Sequence, residues 1–252
     1  MSLIELTNVH KTLGNKPILQ GVNLHVKAGE TYVIIGRSGT GKSVTLKNIV
    51  GLLQPDQGEV RIMGENINNI SAKRFYELRK EMGVLFQNGA LINWLNVGQN
   101  ISLPLIEHEN FSENEIKKIV AEKLALVNLQ GVEHLMPASL SGGMKKRVGL
   151  ARAIVRNPKI ILYDEPTSGL DPVMSNQINE LILSLQEKLH VASICVTHDM
   201  GSAYMVGNKI GMLYNGKIIA EGTPEQIKNS ENPYVQQFIL GKTTGPLTKE
   251  AS

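Results

Sequence analysis

The chain has 252 residues, 42% of them hydrophobic and 19% charged, with a mean hydropathy of −0.08 and a formal net charge of +3. Such a chain can bury a real core, and its charge is too small and dispersed for a nucleic-acid footprint. No apolar run approaches the roughly 18 residues of a membrane span, and MSLIELTNVHK lacks a cationic stretch followed by a long apolar one, so no signal peptide is expected. The lone cysteine, Cys195, sits in the apolar run 193–196. It excludes an internal disulfide, reads as a buried strand residue and fits a reducing cytoplasm.

In chain order, residues 3–10 and 18–26 read as short strands around a break at Leu13-Gly14-Asn15-Lys16. Strand Thr31–Ile35 then enters GRSGTGKS, made of Gly36, Arg37, Ser38, Gly39, Thr40, Gly41, Lys42 and Ser43. The pattern G-x-x-x-x-G-K-[ST] is a P-loop, whose successive backbone N–H groups curl around phosphate oxygens. Glycines let the backbone approach, Lys42 reaches the β- and γ-phosphates, and Ser43 supplies a hydroxyl to Mg²⁺. The helix that follows, 42–50, points its positive end at the anion. A turn at 55–58 precedes strand 59–64, and helix 72–79 leads to strand 82–86.

From Trp94 to Pro137 the strand signal disappears, and residues 112–129 show the 3.6-residue period of an amphipathic helix. The spacing predicts a helical insertion at about 94–156. Strand signals return at 160–163, 193–197, 209–213 and 217–221, with helices between the first three. Strands alternating with helices around a P-loop predict a mostly parallel α/β core. One ATPase domain is expected over 1–241. The tail 242–252 is expected to be mobile or to dock on a partner.

The strand Ile160–Tyr163 ends in Asp164 and Glu165, the form of a Walker B motif. There Asp164 can hold Mg²⁺ through water and Glu165 can polarise an attacking water. Thr197-His198-Asp199 closes a second apolar strand, and His198 would lie beside the phosphates if the two strands are neighbours.

The run Ser139-Leu140-Ser141-Gly142-Gly143-Met144, followed by KKRVGLARAI, resembles the signature motif of ABC (ATP-binding cassette) ATPases. The other motifs come in that family's order: Gln87 as the Q-loop, 168–171 as the D-loop and His198 as the switch histidine. The likeness spans about Leu3 to Gly241. It implies a P-loop NTPase core with an N-terminal antiparallel β subdomain and a helical insertion. Further, it implies ATP hydrolysis with Glu165, His198 and Gln87 as catalytic residues, and Mg²⁺ held by Ser43, Gln87 and Asp164. Ser141, Gly142 and Gly143 open a helix running to about Arg156, a second anion-binding terminus. By the same resemblance that terminus faces the γ-phosphate held by another copy, so two chains sandwich two ATP molecules.

Two positions depart from the family pattern. Met144 stands where glutamine is usual, although the phosphate-binding groups of Ser141 and the glycines do not depend on it. Leu13 stands near a common adenine-stacking aromatic, which leaves base selectivity open. Within the family, residues 85–105 (LFQNGALINWLNVGQNISLPL), the ending LSGGM and the run NPYVQQFILGKTTGP resemble the MlaF-like ATPases of MCE-type phospholipid transporters. That implies a second copy of the chain, an integral-membrane permease, an MCE-domain protein and a small accessory subunit as partners, and no nucleic acid. It also implies a place on the cytoplasmic face of a bacterial inner membrane. Trp94 could be core or a permease contact. Other readings are an ATPase of an amino-acid or metal-ion importer, a soluble ABC protein or a P-loop kinase. The soluble class should show two cassettes or a long coiled coil, and a kinase has no use for LSGG.

Overall fold

The computed structural model describes residues 2–108 and 111–249. Its elements are β1 (Ser2–Leu13), β2 (Lys16–Lys27), β3 (Thr31–Ile35), α1 (Lys42–Ile49), β4 (Gln57–Ile62), β5 (Glu65–Asn66), α2 (Ala72–Lys80), β6 (Met82–Leu85) and α3 (Val97–His108). They continue with α4 (Glu113–Leu126), a 3₁₀ turn (Pro137–Ser139), α5 (Gly142–Ala153), β7 (Ile160–Asp164), α6 (Pro172–Leu189), β8 (Ala192–Thr197) and α7 (Met200–Val206). The last are β9 (Lys209–Tyr214), β10 (Lys217–Gly222), α8 (Pro224–Lys228), α9 (Pro233–Ile239) and α10 (Pro246–Lys249). Two compact units divide the chain: Met1–Ile70 with Ile194–Ser252, and Ser71–Ser193.

The first unit contains an antiparallel sheet in the order β2-β1-β4-β5, the expected N-terminal β subdomain. β1 and β2 run further than the alternation suggested. They meet in a two-residue turn, with Leu13 opposite Lys16 and Gly14 at φ 59°, as tight hairpins require. Its second sheet places β3 between β9 and β8, with β10 outside β9. β3 is parallel to β9 and wholly buried, which is why four of its five residues, Tyr32 to Ile35, form one apolar run.

The second unit is built on β7 and β6, paired in parallel, and on the helices α2 to α6. Helix α4 starts with a full capping box, Ser112 and Glu115 satisfying each other's backbone N–H. Within the stretch read as a helical insertion the sequence reading placed no separate helix at 97–108, and α3 carries Pro104 inside it. It forms nonetheless: Val97, Ile101 and Leu105, four residues apart, are buried, and that stripe outweighs the lost hydrogen bond. Asn96 and Gln99 cap its start reciprocally, at 2.8 and 2.9 Å. Buried Asn100 takes the Ile92 N–H and gives its amide to the carbonyls of Ile92, Leu95 and Asn96. This ties down a loop whose tip, Trp94, is 79% exposed. Trp94 is therefore not core, and Leu95 beside it is half-buried.

The signature helix α5 ends at Ala153, three residues short of the expected Arg156. The tail also has structure. Gly245 opens a short turn, Leu247 is buried, and its N–H donates to buried Gln237 Oε1 at 2.7 Å. Residues 250–252, the end of the predicted tail, lie outside the described residues.

Candidate functional site

In the first unit, Gly36 (φ 153°) and Gly41 (φ 105°) shape the loop. A Cβ on Gly36 would sit 2.5 Å from the Leu213 carbonyl oxygen, and one on Gly41 2.9 Å from Leu19 Cδ2. Backbone excludes a side chain at Gly36, and Gly41 is fixed by its left-handed backbone at close quarters with β2. Lys42 is buried and its ammonium donates to the carbonyls of Gly36 (2.7 Å) and Arg37 (3.1 Å), holding a positive charge inside the loop. No side chain caps α1, whose N-cap is Gly41 itself. Other helices here carry side-chain caps: Ser141 on α5, Asp171 on α6 and Asp199 on α7. A Gly-shaped cradle, a buried ammonium and an uncapped helix start fit the phosphates of a nucleoside triphosphate.

Arg37, Ser38, Gly39 and Thr40 form the outer turn of the loop, with Thr40 Oγ1 donating to the Arg37 carbonyl at 2.8 Å. The Arg37 guanidinium donates to the Leu247 carbonyl at 2.5 Å. The tail is thereby tied to the P-loop within the same unit. Leu247→Asp places a charge in an apolar seat worth about 2 kcal/mol. It should lower the melting temperature by about 4–8 °C on that basis; a thermal melt within about 1 °C of the unaltered chain would show the tail is not docked.

His198 follows β8 and is exposed, beside Asp199. Burial opposes the charge on Asp199, but hydrogen bonds from Ser202 and Gly201, with His198 nearby, hold its carboxyl below the usual range. Asp199 therefore stays charged and fixes the start of α7 directly after His198.

In the second unit, Asp164 ends β7 and Glu165 follows at φ 50°. A non-glycine residue there costs about 1 kcal/mol and persists only where its surroundings hold it. Two donors do so: the Ser168 N–H at 3.2 Å and the Lys146 Nζ at 3.0 Å both bind the Glu165 carbonyl. Gln87 is exposed, and its Nε2 donates to Ser168 Oγ at 3.3 Å, joining the Q-loop to the D-loop.

Ser141 is the N-cap of α5, its Oγ accepting the Met144 N–H at 3.2 Å. Met144 thus contributes its backbone to the cap, and a different side chain leaves that bond intact. Ser141 and Gly142 are exposed and Gly143 is buried. A Cβ on Gly143 would fall 2.2 Å from Met174 Cε, so α6 packs directly on the signature backbone.

The sequence reading passed over Lys146 and Arg152. Lys146 is 4% exposed and also donates to the Gln87 carbonyl; Arg152 binds the carbonyls of Gly89 (2.7 Å) and Ala90 (2.8 Å). Their signal was helical spacing: Lys146 lies three residues from each of the buried Gly143 and Gly149, so it shares their face instead of facing water.

An ABC transporter family model matches residues 19–168. The chain is 45% identical over 244 residues to the probable ribonucleotide transport ATP-binding protein mkl of Mycobacterium tuberculosis (strain ATCC 25618 / H37Rv), covering 97% of this chain and 68% of that protein. It is 42% identical over 246 residues to the intermembrane phospholipid transport system ATP-binding protein MlaF of Haemophilus influenzae, covering 98% of this chain and 93% of that one. Among solved structures, it is similar to the dimeric post-hydrolysis state of the ATP-binding cassette MJ0796 bound to ADP and Pi. That match has a TM-score of 0.80 at 35% identity, over 88% of this chain and 98% of that one.

Proposed function

The chain belongs to the ABC transporter family, and from that premise we propose that it is the ATP-hydrolysing subunit of a bacterial phospholipid transporter. It works as a head-to-tail pair of cassettes sharing two ATP sites and serves traffic between the inner and outer membranes. The observation that carries the lipid reading is the likeness to a phospholipid-transport ATPase along 93% of that protein's length. The name of the mycobacterial relative supports ribonucleotide cargo as a second reading. The amino-acid or metal-ion importer has less support than either.

In this reading the P-loop N–H groups and Lys42 bind the β- and γ-phosphates. Ser141 and the first N–H groups of α5 present a second anion-binding terminus to the ATP held by the partner copy. Glu165 takes the proton of the attacking water, and His198 stabilises the γ-phosphate as it leaves. Ser43, Gln87 and Asp164 would hold Mg²⁺, which supplies charge neutralisation between the β- and γ-phosphates. Among the described residues no three His, Cys, Asp or Glu side chains group to hold a metal. The hydroxyl of Ser43, the amide oxygen of Gln87 and the carboxylate of Asp164 are hard oxygen donors of the kind Mg²⁺ takes beside phosphates.

Among the described residues no helix is long and apolar enough to cross a membrane. In this reading the chain passes its work to a permease from the cytoplasmic face, with an MCE-domain protein and a small accessory subunit completing the assembly. An apolar groove of about 600 Å³ runs between Tyr76, Phe86, Ile92, Leu103 and Pro104. Its neighbour Trp94 stands on the loop fixed by Asn100. We assign this surface to the permease. Trp94→Asp should reduce lipid transport by the assembled complex at least about tenfold, as loss of a buried aromatic anchor does, and leave basal ATP hydrolysis within about twofold. Leu95 is a poorer probe, since a charge at that half-buried position would disturb the loop itself.

Purifying the complex from native membranes tests the reading as a whole. A lipid-transport permease with bound phospholipid is expected, as is a detergent-sensitive outer membrane when the gene is lost. An importer permease with a solute-binding protein, beside an unaltered outer membrane, would remove the lipid assignment and leave the ATPase.

A further inference from the structure

Helix α5 begins at the signature residues and carries two cations further along, the buried Lys146 and the half-buried Arg152. Between them they take the carbonyls of Gln87, Gly89, Ala90 and Glu165. The Q-loop backbone is pressed onto the same helix: Ala90 is at φ 46°, and a Cβ on Gly89 would meet the Lys145 carbonyl oxygen at 2.7 Å. Gly149 is the matching relief on the helix, since a Cβ there would lie 3.0 Å from the Gly89 Cα. The arrangement leaves little play between α5 and the Q-loop.

Lys146 differs from Arg152 in one respect. Its ammonium joins two segments, the Gln87 carbonyl on one side and the Glu165 carbonyl on the other. A buried ammonium is expensive unless strongly hydrogen-bonded, and here two carbonyls and the nearby carboxylates of Asp164 and Glu165 supply the return. Burial still pushes the amine below the usual lysine range, partly offset by those carboxylates. An uncharged isostere would pack as well, so packing alone does not account for a lysine here. Its position does: Glu165 is held in a left-handed backbone conformation, and Lys146 is one of the two donors on its carbonyl.

We infer that Lys146 is a positioning residue for hydrolysis, locking the Glu165 backbone and the Q-loop to the signature helix, so that binding of the partner's nucleotide at Ser141 is felt at Glu165 of the same chain. This rests on the ATPase reading and adds to it a route between the two ATP sites. The link is contiguous and has a geometric basis: one side chain spans helix, Q-loop and the end of β7. Its effect falls on the chemical step and on cooperativity between sites, with nucleotide binding at the P-loop untouched.

The test uses the full chain with Lys146→Met, close in length and without donors, beside Lys146→Arg and the unaltered protein. Hydrogen bonds from a charged donor are worth enough to change a rate by about ten- to a hundredfold. Lys146→Met should lower kcat by that factor, bring the Hill coefficient for ATP toward one, and leave ATP affinity within about twofold, while Lys146→Arg recovers most of kcat. If Lys146→Met does not fold, Lys146→Gln takes its place; its neutral amide donates more weakly than an ammonium and should lose about three- to tenfold in kcat. Unchanged kcat and Hill coefficient in these variants would overturn the inference. So would kcat, affinity and melting temperature falling together without rescue by arginine, which would make Lys146 a support for the fold alone. An unaltered chain that binds ATP without hydrolysing it in the assembled complex would instead fail the ATPase reading.

Discussion

Glu165→Gln should abolish turnover while keeping ATP bound, with kcat falling about a hundred- to ten-thousandfold, as expected for loss of a general base. The substitution is nearly isosteric. The unusual backbone at φ 50° is held through the Glu165 carbonyl, by the Ser168 N–H and Lys146 Nζ, and those contacts do not involve the carboxylate. The glutamine variant therefore keeps its fold, its P-loop and its signature terminus. With ATP and Mg²⁺ it should accumulate as a dimer, because the γ-phosphate bound by both copies is no longer removed. Size-exclusion chromatography reads this directly. A variant that hydrolyses slowly but stays monomeric under those conditions speaks against two chains sharing each site.

The parts of this molecule that were legible in its sequence are those where a local pattern has one physical reading. GRSGTGKS after the four apolar residues 32–35 demands a strand, a phosphate cradle and a helix in that order, and β3, the loop and α1 follow it. Ile160–Asp164 reads the same way. What stayed hidden depends on tertiary context. Pro104 disfavours a helix at α3, and burial of Val97, Ile101 and Leu105 against neighbouring helices overrides it. KKR after the signature looks like a solvated charge run, yet Lys146 turns inward because the carbonyls of Gln87 and Glu165, 59 and 19 residues away, converge on it. The positive φ of Glu165 has no sequence signal: the Ser168 N–H on its carbonyl is local, but the Lys146 donor comes from 19 residues back. The tail reads as polar, and its seat depends on Gln237 and Arg37 meeting Leu247, a coincidence of three segments.

The second large effect concerns Lys42 and Ser141 together. Lys42→Ala removes the one ammonium held inside the loop, bonded to the Gly36 and Arg37 carbonyls at 2.7 and 3.1 Å. A charge-assisted contact to phosphate is lost, and ATP affinity should fall about thirty- to a thousandfold. Equilibrium binding of a fluorescent ATP analogue measures this, and an unchanged affinity would remove Lys42 from the site. Ser141→Arg acts differently: it deletes the N-cap on Met144 and puts a bulky side chain where exposed Ser141 and Gly142 stand. Loss of the cap costs about 1 kcal/mol of helix stability, too little to unfold the chain, so its own P-loop should bind ATP normally. Each homodimer is then inactive for a different reason. If Ser141 serves the partner's ATP, a mixed dimer has one site carrying both defects and one carrying neither. Random mixing makes half of the dimers mixed, each with one of two sites intact, so about a quarter of the unaltered activity should return. If each chain's Ser141 instead served its own ATP, every site in every dimer would remain broken. Activity that stays at zero, with mixed dimers demonstrated by differential tagging, would therefore decide for self-contained sites.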